Sequence, residues 1–163
     1  MGRANTALGR DDLGFLLAKT TQRWNDRLAR EFAAAGYKEV RPSYGSILLP
    51  LYEEDGLRMG ELGRRAHLSK QTMTSLVRRA ERDGLVERRP DPHDARASLV
   101  FLTARSRAFA PVAETILREL HEDVGRRLGA ERVDALREAL AELLEEAPRN
   151  ASPSSAQARE RER

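Results

Sequence analysis

The chain has 163 residues, no cysteine and a net charge of only +3. The lack of cysteine excludes disulfides, thiolate metal sites and thiol redox chemistry. No segment approaches the ~18 apolar residues of a membrane span, and the N-terminal residues lack the apolar run of a signal peptide, so we expect a cytoplasmic protein without a membrane partner.

The spacing of apolar residues predicts that most of the chain is helical. In the first half, helices are expected at about residues 11–35, 42–52, 59–66 and 70–83. Asp11 or Asp12 can cap the first helix, and Gly36 and Gly84 are suitable residues to end the first and the fourth.

A β-hairpin is predicted after the fourth helix. Two short strand-like runs, LVERR and ASLVFLT, flank the turn-forming segment PDPHDA at residues 90–95. Two long helices are then expected at about 103–128 and 130–146. Residues 1–10 and the polar, basic tail at 147–163 have almost nothing to bury, so we expect both to be disordered.

The first helix and the last two carry more apolar surface than a small central unit can cover. The stripes of the last two consist of Phe109, Val112, Ile116, Leu120, Val124 and Leu128, then Val133, Leu136, Leu140, Leu143 and Leu144. Helical stripes without a partner in the chain indicate a partner subunit. We therefore expect a homodimer formed by helices at about 11–35 and 103–146, with an intramolecular bundle as the alternative.

Basic residues concentrate in the middle of the chain. Between Arg58 and Arg96 there are ten Lys or Arg and six Asp or Glu, an excess of +4, whereas the remaining residues sum to −1. A local basic excess indicates a polyanionic partner. A solvated charged face is an equally simple explanation of the charge alone.

The fourth helix has the pattern of a helix that reads DNA. Its apolar stripe must be the buried side and consists of Met73, Leu76, Val77 and Ala80. The exposed face carries short hydrogen-bonding side chains at its N-terminal end and arginines further along, an order that suits base edges and then phosphates. Ser69 is placed to cap the helix. The predicted DNA contacts are Ser69, Lys70, Gln71, Thr72, Thr74, Ser75, Arg78 and Arg82.

The third helix and a tight turn precede this helix, so the pair is predicted to form a helix-turn-helix, with a structural helical hairpin as the alternative. The β-hairpin that follows has the features of a wing. Arg96 near its tip can enter the minor groove, and Asp94 can orient the guanidinium through a charge-assisted hydrogen bond. An ordinary hairpin with a surface ion pair is the alternative. Arg88 and Arg89 on the first strand complete the predicted DNA contacts.

The segment ELGRRAHLSKQTMTSLVRRAERDGLVERRPDPHDARASLVFLT resembles the winged helix-turn-helix of the MarR family of bacterial transcription regulators. Its closest part is GLVERRPDPHDARASLVFLT, where Asp94 and Arg96 stand at the family's wing Asp and Arg. Four departures are modest. Gly63 stands where Ala is usual, Arg58 where a capping Thr is common, Ser106 where Gly is usual, and Ala95 where Arg or Gly is frequent. A looser similarity covers residues 11–146 as a single domain, with the winged helix-turn-helix at about 42–102.

The resemblance implies a mainly α fold with a small β-hairpin wing and a helical dimerisation region. It also implies a two-fold dimer with paired recognition helices on a pseudo-palindromic operator in double-stranded DNA, and repression that a small ligand often relieves. The family usually binds small aromatic or phenolic ligands between the dimer helices and the winged domain. Trp24, Tyr44 and His67 can line such a site, and for Trp24 a core or dimer-interface position is the alternative.

No motif in the sequence indicates an enzyme, a metal site or a cofactor. His67, His93 and His121 are far apart, and no zinc-protease box, Gly-rich phosphate loop or nucleophile–base motif is present. The helix-turn-helix and wing pattern predicts a dimeric, sequence-specific DNA-binding transcription regulator, and the resemblance implies a repressor relieved by a small ligand. The alternative is a helical interaction module whose winged unit binds protein instead of DNA.

Overall fold

The computed structural model describes residues 9–146 of the chain. The tail at 147–163 and most of the N-terminal segment at 1–10, both predicted to be disordered, lie outside the described residues. The chain divides into two compact units between His121 and Glu122. The boundaries of a single domain at 11–146 remain a prediction.

The predicted mainly helical fold is confirmed. Within the described residues the elements are α1 (Leu13–Ala34), a 3-10 turn (Pro42–Tyr44), α2 (Gly45–Glu53), β1 (Leu57–Arg58), α3 (Met59–Arg65), α4 (Lys70–Arg82), β2 (Val86–Asp91), β3 (Asp94–Leu102), α5 (Ala104–Leu128) and α6 (Ala130–Glu146). Each helix lies within about three residues of its predicted bounds.

Local capping explains where the helices begin and end. Asp12 caps α1 because its Oδ1 accepts the Phe15 N–H at 3.0 Å, and Ser69 caps α4 because its Oγ accepts the Thr72 N–H at 3.2 Å. Gly36 and Gly84 follow the ends of α1 and α4 with φ of +88° and +75°. This left-handed backbone strains other residues and lets the chain leave the helix.

The three strands form an antiparallel sheet in the order β1-β3-β2. The sequence pattern missed β1, because two residues are too short to show an alternating pattern. The hairpin turn is also tighter than predicted, because β2 extends to Asp91 and β3 begins at Asp94. Pro90 pairs with Ser98 and Asp91 with Asp94, so residues 95–97 form a bulge on β3.

The core lies between α2, α3, α4 and the sheet, and it continues to α1 and α5. Its fully buried large side chains include Tyr44, Ile47, Leu51, Leu62, Met73, Val77, Leu85, Val86 and Val100. Phe32 of α1 and Phe109 of α5 meet edge to face at 4.9 Å between ring centroids. Ile116 and Leu120 are also buried, so this half of the α5 stripe packs within the chain, not against a partner as predicted.

Each unit also has an exposed apolar surface of its own. In the first unit the exposed residues at the start of α1 are Leu13, Phe15, Leu16 and Leu17. In the second unit the exposed residues of α6 are Leu136, Leu140, Leu143 and Leu144. Among residues 9–146, no helix has both the length and the apolar character that crossing a bilayer requires.

Candidate nucleic-acid interface

A close backbone contact forms the turn between α3 and α4. The Leu68 N–H donates to the Gly63 carbonyl at 2.9 Å. A Cβ on Gly63 would lie only 3.1 Å from the Leu68 carbonyl oxygen, so glycine at this buried position permits the close approach. His67 crosses the turn with φ of +53°. The result is a helix-turn-helix in which Ser69 begins α4.

The face of α4 opposite the core carries the polar residues expected from the sequence. Met73, Val77 and Ala80 are buried. The exposed residues of the predicted set are Ser69, Lys70, Gln71, Thr72, Ser75, Arg78 and Arg82. Thr74 is half-buried, and its hydroxyl donates to the Lys70 carbonyl at 2.7 Å. Its hydroxyl oxygen and methyl group remain the parts available to a partner.

The basic residues of this surface fall into two groups according to their ion pairs. Lys70, Arg78, Arg82 and Arg96 have no carboxylate partner within the part of the chain that the structure describes. Arg88 and Arg89, in contrast, are paired with Glu81 and Glu87 respectively. Arg89 also lies over the Phe101 ring, with 4.6 Å between the guanidinium carbon and the ring centroid. The free positive charge therefore lies on α4 and at the wing bulge.

Arg96 occupies the wing bulge, and its side chain is exposed. Asp94 Oδ1 accepts the backbone N–H of Arg96 at 3.0 Å. The sequence had predicted that Asp94 would contact the Arg96 guanidinium. Instead the carboxylate holds the backbone of the bulge, because an Asp side chain reaches the N–H two residues ahead in a tight turn.

The other end of the turn is tied to β1. The buried Asp91 carboxylate accepts the His93 N–H at 2.9 Å and the Arg58 Nε–H at 2.7 Å. The His93 hydrogen bond and then the Arg58 guanidinium hold the pKa of Asp91 below its usual value. The wing is therefore a hairpin anchored to the body of the winged unit.

The three residues predicted to bind a ligand do not come together. Trp24 lines a cavity of about 230 Å³ in the first unit. Tyr44 is fully buried outside this lining, and its hydroxyl donates to the Asp83 carboxylate at the end of α4. His67 is exposed in the helix-turn-helix turn. Within this chain the three residues do not line one cavity, because Tyr44 faces the core and His67 faces solvent. Their binding of a ligand stays a prediction.

The cavity has an apolar lining with few polar groups. Its aromatic side chains are Trp24, Phe32, Tyr52 and Phe109. The Tyr52 hydroxyl donates to the Ser106 carbonyl at 2.7 Å, and burial raises the pKa of Tyr52 to about 12. Arg41 is the charged residue of the lining, and its Nε lies 3.6 Å from an Asp83 carboxylate oxygen. The sequence did not reveal Arg41 or Tyr52, because the lining comes from three separate segments.

Residues 9–146 contain no group of three or more His, Asp or Glu side chains close enough to hold a metal ion. The exposed face of α4, the turn before it and the anchored hairpin after it define the class of this protein. It is a winged helix-turn-helix protein.

A model of the MarR family matches residues 40–97. The chain is 39% identical over 75 residues to the HTH-type transcriptional regulator TtmR of Methylorubrum extorquens, which covers 46% of this chain and 38% of TtmR. It is 36% identical over 80 residues to the HTH-type transcriptional repressor Rv2887 of Mycobacterium tuberculosis, which covers 49% of this chain and 58% of Rv2887. The chain thus spans about 40 to 60% of the length of these curated relatives.

The fold is similar to the crystal structure of a probable transcriptional regulator from Pseudomonas aeruginosa. The TM-score is 0.71 at 28% identity, over 82% of this chain and 97% of that chain. Residues 40–97 therefore match the MarR family, in agreement with the resemblance inferred from the sequence.

Proposed function

We propose that the chain is a dimeric transcription regulator that binds a pseudo-palindromic operator in double-stranded DNA and acts as a repressor. The observation that carries this proposal is the exposed face of α4, where hydrogen-bonding side chains precede two unpaired arginines, Arg78 and Arg82. Such a face suits base edges in the major groove followed by phosphates. The relative Rv2887 is named a repressor, and this supports the direction of the regulation.

Selection of bound sequences from random duplex DNA tests the proposal. We expect a preferred sequence with two related half-sites, because a two-fold dimer presents two copies of α4. Gln71→Ala should then lower affinity for the selected sequence by ~1–3 kcal/mol per lost base contact and leave random DNA nearly unaffected. Gln22→Ala, which changes an exposed glutamine of α1, is the control and should leave both affinities unchanged.

The wing provides a second measurement on the same duplex. Arg96→Ala should weaken binding strongly and flatten the dependence of log K on log salt by ~1 per protomer, while the preferred sequence stays the same. Asp94→Ala should have a smaller effect, because Asp94 only holds the bulge and its own charge opposes DNA. Arg118→Ala, on an exposed arginine of α5, controls for the loss of one positive charge. Unchanged binding by Arg96→Ala would exclude the wing from the interface.

We also propose that a small aromatic or phenolic ligand in the cavity beside Trp24 relieves repression. The apolar lining suits an aromatic ring, and Arg41 suits an acidic group on it. Trp24 is the only tryptophan, so its fluorescence reports on the cavity directly. Hydroxybenzoate should quench or shift this fluorescence and release DNA. Ala113→Phe, which fills the cavity, should abolish both effects, and a response that survives it would place the ligand elsewhere.

The competing function is a winged unit that binds protein. Binding to DNA requires log K to fall by ~0.9 for each phosphate neutralised as log salt rises. Docking on an apolar protein surface depends far less on salt. A chain that ignores duplex DNA at low salt would favour the competing function.

A further inference from the structure

Glu81 of α4 and Arg88 of β2 form a bidentate ion pair that links the proposed recognition helix to the first wing strand. The Arg88 Nε–H lies 3.2 and 3.1 Å from the two Glu81 carboxylate oxygens, and a terminal nitrogen of Arg88 lies 2.8 Å from one of them. The Glu81 and Arg88 side chains are 32% and 38% exposed. Because both remain reachable from solvent, an anion can compete with Glu81 for the guanidinium.

The pair lines an open groove between the end of α4 and the wing. The groove has a volume of about 390 Å³, and its lining includes Glu81, Arg88 and Arg96. Arg96, with no carboxylate partner within residues 9–146, is thus a neighbour of Arg88, whose charge is neutralised within the chain. Because the groove lies between the end of α4 and the wing, a duplex held by both would bring its phosphate backbone to this groove.

A carboxylate at this place opposes DNA in two ways. It repels a phosphate directly, and it occupies the guanidinium that would otherwise contact that phosphate. A partly exposed ion pair contributes little to folding stability, so its exchange for a phosphate costs the fold little. Phosphate contacts supply most of the affinity for DNA of any sequence. A carboxylate here therefore acts on sequence-independent affinity more than on base recognition.

We propose that Glu81 is an intramolecular competitor of DNA phosphate for Arg88, and that it limits the affinity of the regulator for DNA of any sequence. This inference rests on the proposed DNA-binding function. It assigns a role to an acidic residue within a surface otherwise defined by its cations. In this proposal Arg88 contacts a DNA phosphate only after the phosphate has displaced the Glu81 carboxylate from the guanidinium.

The test measures binding of the full chain to a random-sequence duplex across a salt series. Glu81→Gln keeps an amide oxygen for Arg88 and removes the negative charge. It should raise affinity at low salt by about five- to tenfold and steepen the slope of log K against log salt by ~0.9 per bound protomer. The control is Glu114→Gln, which makes the same change of charge at an exposed position of α5 and should have neither effect.

The double variant Glu81→Gln with Arg88→Gln decides whether Arg88 is the group that is released. It should lose the added affinity and the added slope. If it retains them, Arg88 is not the phosphate contact and the inference is overturned. Unchanged slope and affinity in Glu81→Gln, with a lowered melting temperature, would show a purely structural pair and also overturn it. Glu81→Ala, a change that favours the helix, gives the same reading if the Gln variant folds poorly.

Binding by the wild-type chain distinguishes failure of the proposed role of Glu81 from failure of the proposed DNA-binding function. If it binds duplex DNA with strong salt dependence but Glu81→Gln behaves like wild type, only the role of Glu81 fails. If the wild-type chain binds no duplex at low salt, the proposed function fails and the role of Glu81 fails with it.

Discussion

His67 adopts an unfavourable left-handed backbone conformation in the turn between α3 and α4. Among residues 9–146 it is the non-glycine residue with a positive φ, +53°. This conformation costs an ordinary L-residue about 1 kcal/mol and glycine nothing. The turn that His67 completes sets Ser69 at the start of α4, so the cost lies next to the proposed DNA contacts.

We expect His67→Gly to stabilise the fold by roughly 0.5–1 kcal/mol, because relief of the strained conformation outweighs the greater freedom of glycine in the unfolded chain. Chemical denaturation measures the difference. His93→Gly is the control, since His93 is exposed in the wing turn and its φ is not positive. A destabilised His67→Gly variant would mean that the imidazole makes a stabilising contact of its own.

Ser106, which stands where the resembled family usually has glycine, makes contacts of its own. The Thr103 N–H lies 3.2 Å from Ser106 Oγ, and the Ser106 N–H lies 3.3 Å from Thr103 Oγ1, so the two residues cap the start of α5 reciprocally. The buried Ser106 hydroxyl also donates to the Leu85 carbonyl. The serine thus links α5 to the chain between α4 and the wing, a contact that glycine cannot make.

At the scale of elements, the wing depends on one buried carboxylate. Asp91 joins the turn to β1 through the His93 N–H and the Arg58 guanidinium. Its pKa is lower in the folded chain than in the unfolded chain. The stabilisation is therefore complete above the unfolded pKa of about 3.9 and is lost as the pH falls through the lower folded value.

We expect Asp91→Asn to lower stability at neutral pH, because the amide cannot replace the charge that pairs with Arg58. The difference between the variant and wild type should shrink as the pH falls from about 4 through the lower pKa of folded Asp91, because protonation removes the charge that pairs with Arg58. Thermal melting across a pH series measures this difference. Asp94→Asn is the control, since Asp94 is exposed and holds only a backbone N–H. A difference independent of pH would assign the effect to packing.

A second link joins the 3-10 turn to the end of α4. The Tyr44 hydroxyl donates to the Asp83 carboxylate, and Arg41 lies 3.6 Å from the same carboxylate. Burial, followed by the hydrogen bond to Asp83, raises the pKa of Tyr44 to about 12. A group with a raised folded pKa stabilises fully below its unfolded pKa, near 10, and the stabilisation is lost as the pH rises through the folded value.

We therefore expect stability to fall between about pH 10 and pH 12, and Tyr44→Phe to remove part of this dependence. At neutral pH the same variant should cost about 1–3 kcal/mol, since a hydrogen bond to a charged group is lost. Tyrosinate absorbance and denaturation provide the measurement. Tyr37→Phe is the control, because Tyr37 has a partly exposed ring in contact with Arg105. If the stability of Tyr44→Phe falls with alkaline pH as much as that of wild type, the loss of stability comes from another group with a raised pKa, such as Tyr52.

At the scale of the whole molecule, the exposed leucines of α1 and α6 predict self-association. Each unit by itself leaves an apolar helix surface in solvent, which is unfavourable for an isolated chain. Sedimentation at micromolar concentration should give about twice the 18.3 kDa of one chain. A monomer at that concentration would also remove the geometric basis for a two-fold operator.

Substitutions in each unit locate the association surface. We expect Leu16→Glu in α1 and Leu143→Glu in α6 each to shift the chain toward the monomer, because both leucines are about half exposed and a charge cannot be buried cheaply in an interface. Leu49→Glu in α2 is the control at an equally exposed leucine on another element. If Leu49→Glu alone dissociated the chain, the interface would lie on the winged part.

The sequence by itself determined the helices, the face of α4 that points to solvent and the resemblance of residues 40–97 to the MarR family. These features depend on neighbours in the chain: Asp12 and Ser69 cap helices three residues ahead, and a period of 3.6 separates Met73, Val77 and Ala80 from the polar face. In these segments the local conformational preferences agree with the complete fold. The helices can therefore be predicted without knowledge of the tertiary structure.

Only the tertiary structure decided which charges are free and what surrounds the cavity. Glu81 meets Arg88 because α4 and β2 pack together, and Tyr44 meets Asp83 across 39 residues of sequence. Such contacts follow from the way elements pack, and spacing along the chain carries no signal of them. From the sequence alone, Arg88 was therefore predicted to contact DNA as a free cation, and Tyr44 was predicted to bind a ligand. Packing neutralised the charge of Arg88, because it places β2 beside Glu81 of α4. It buried Tyr44, because the large ring fills space in the core.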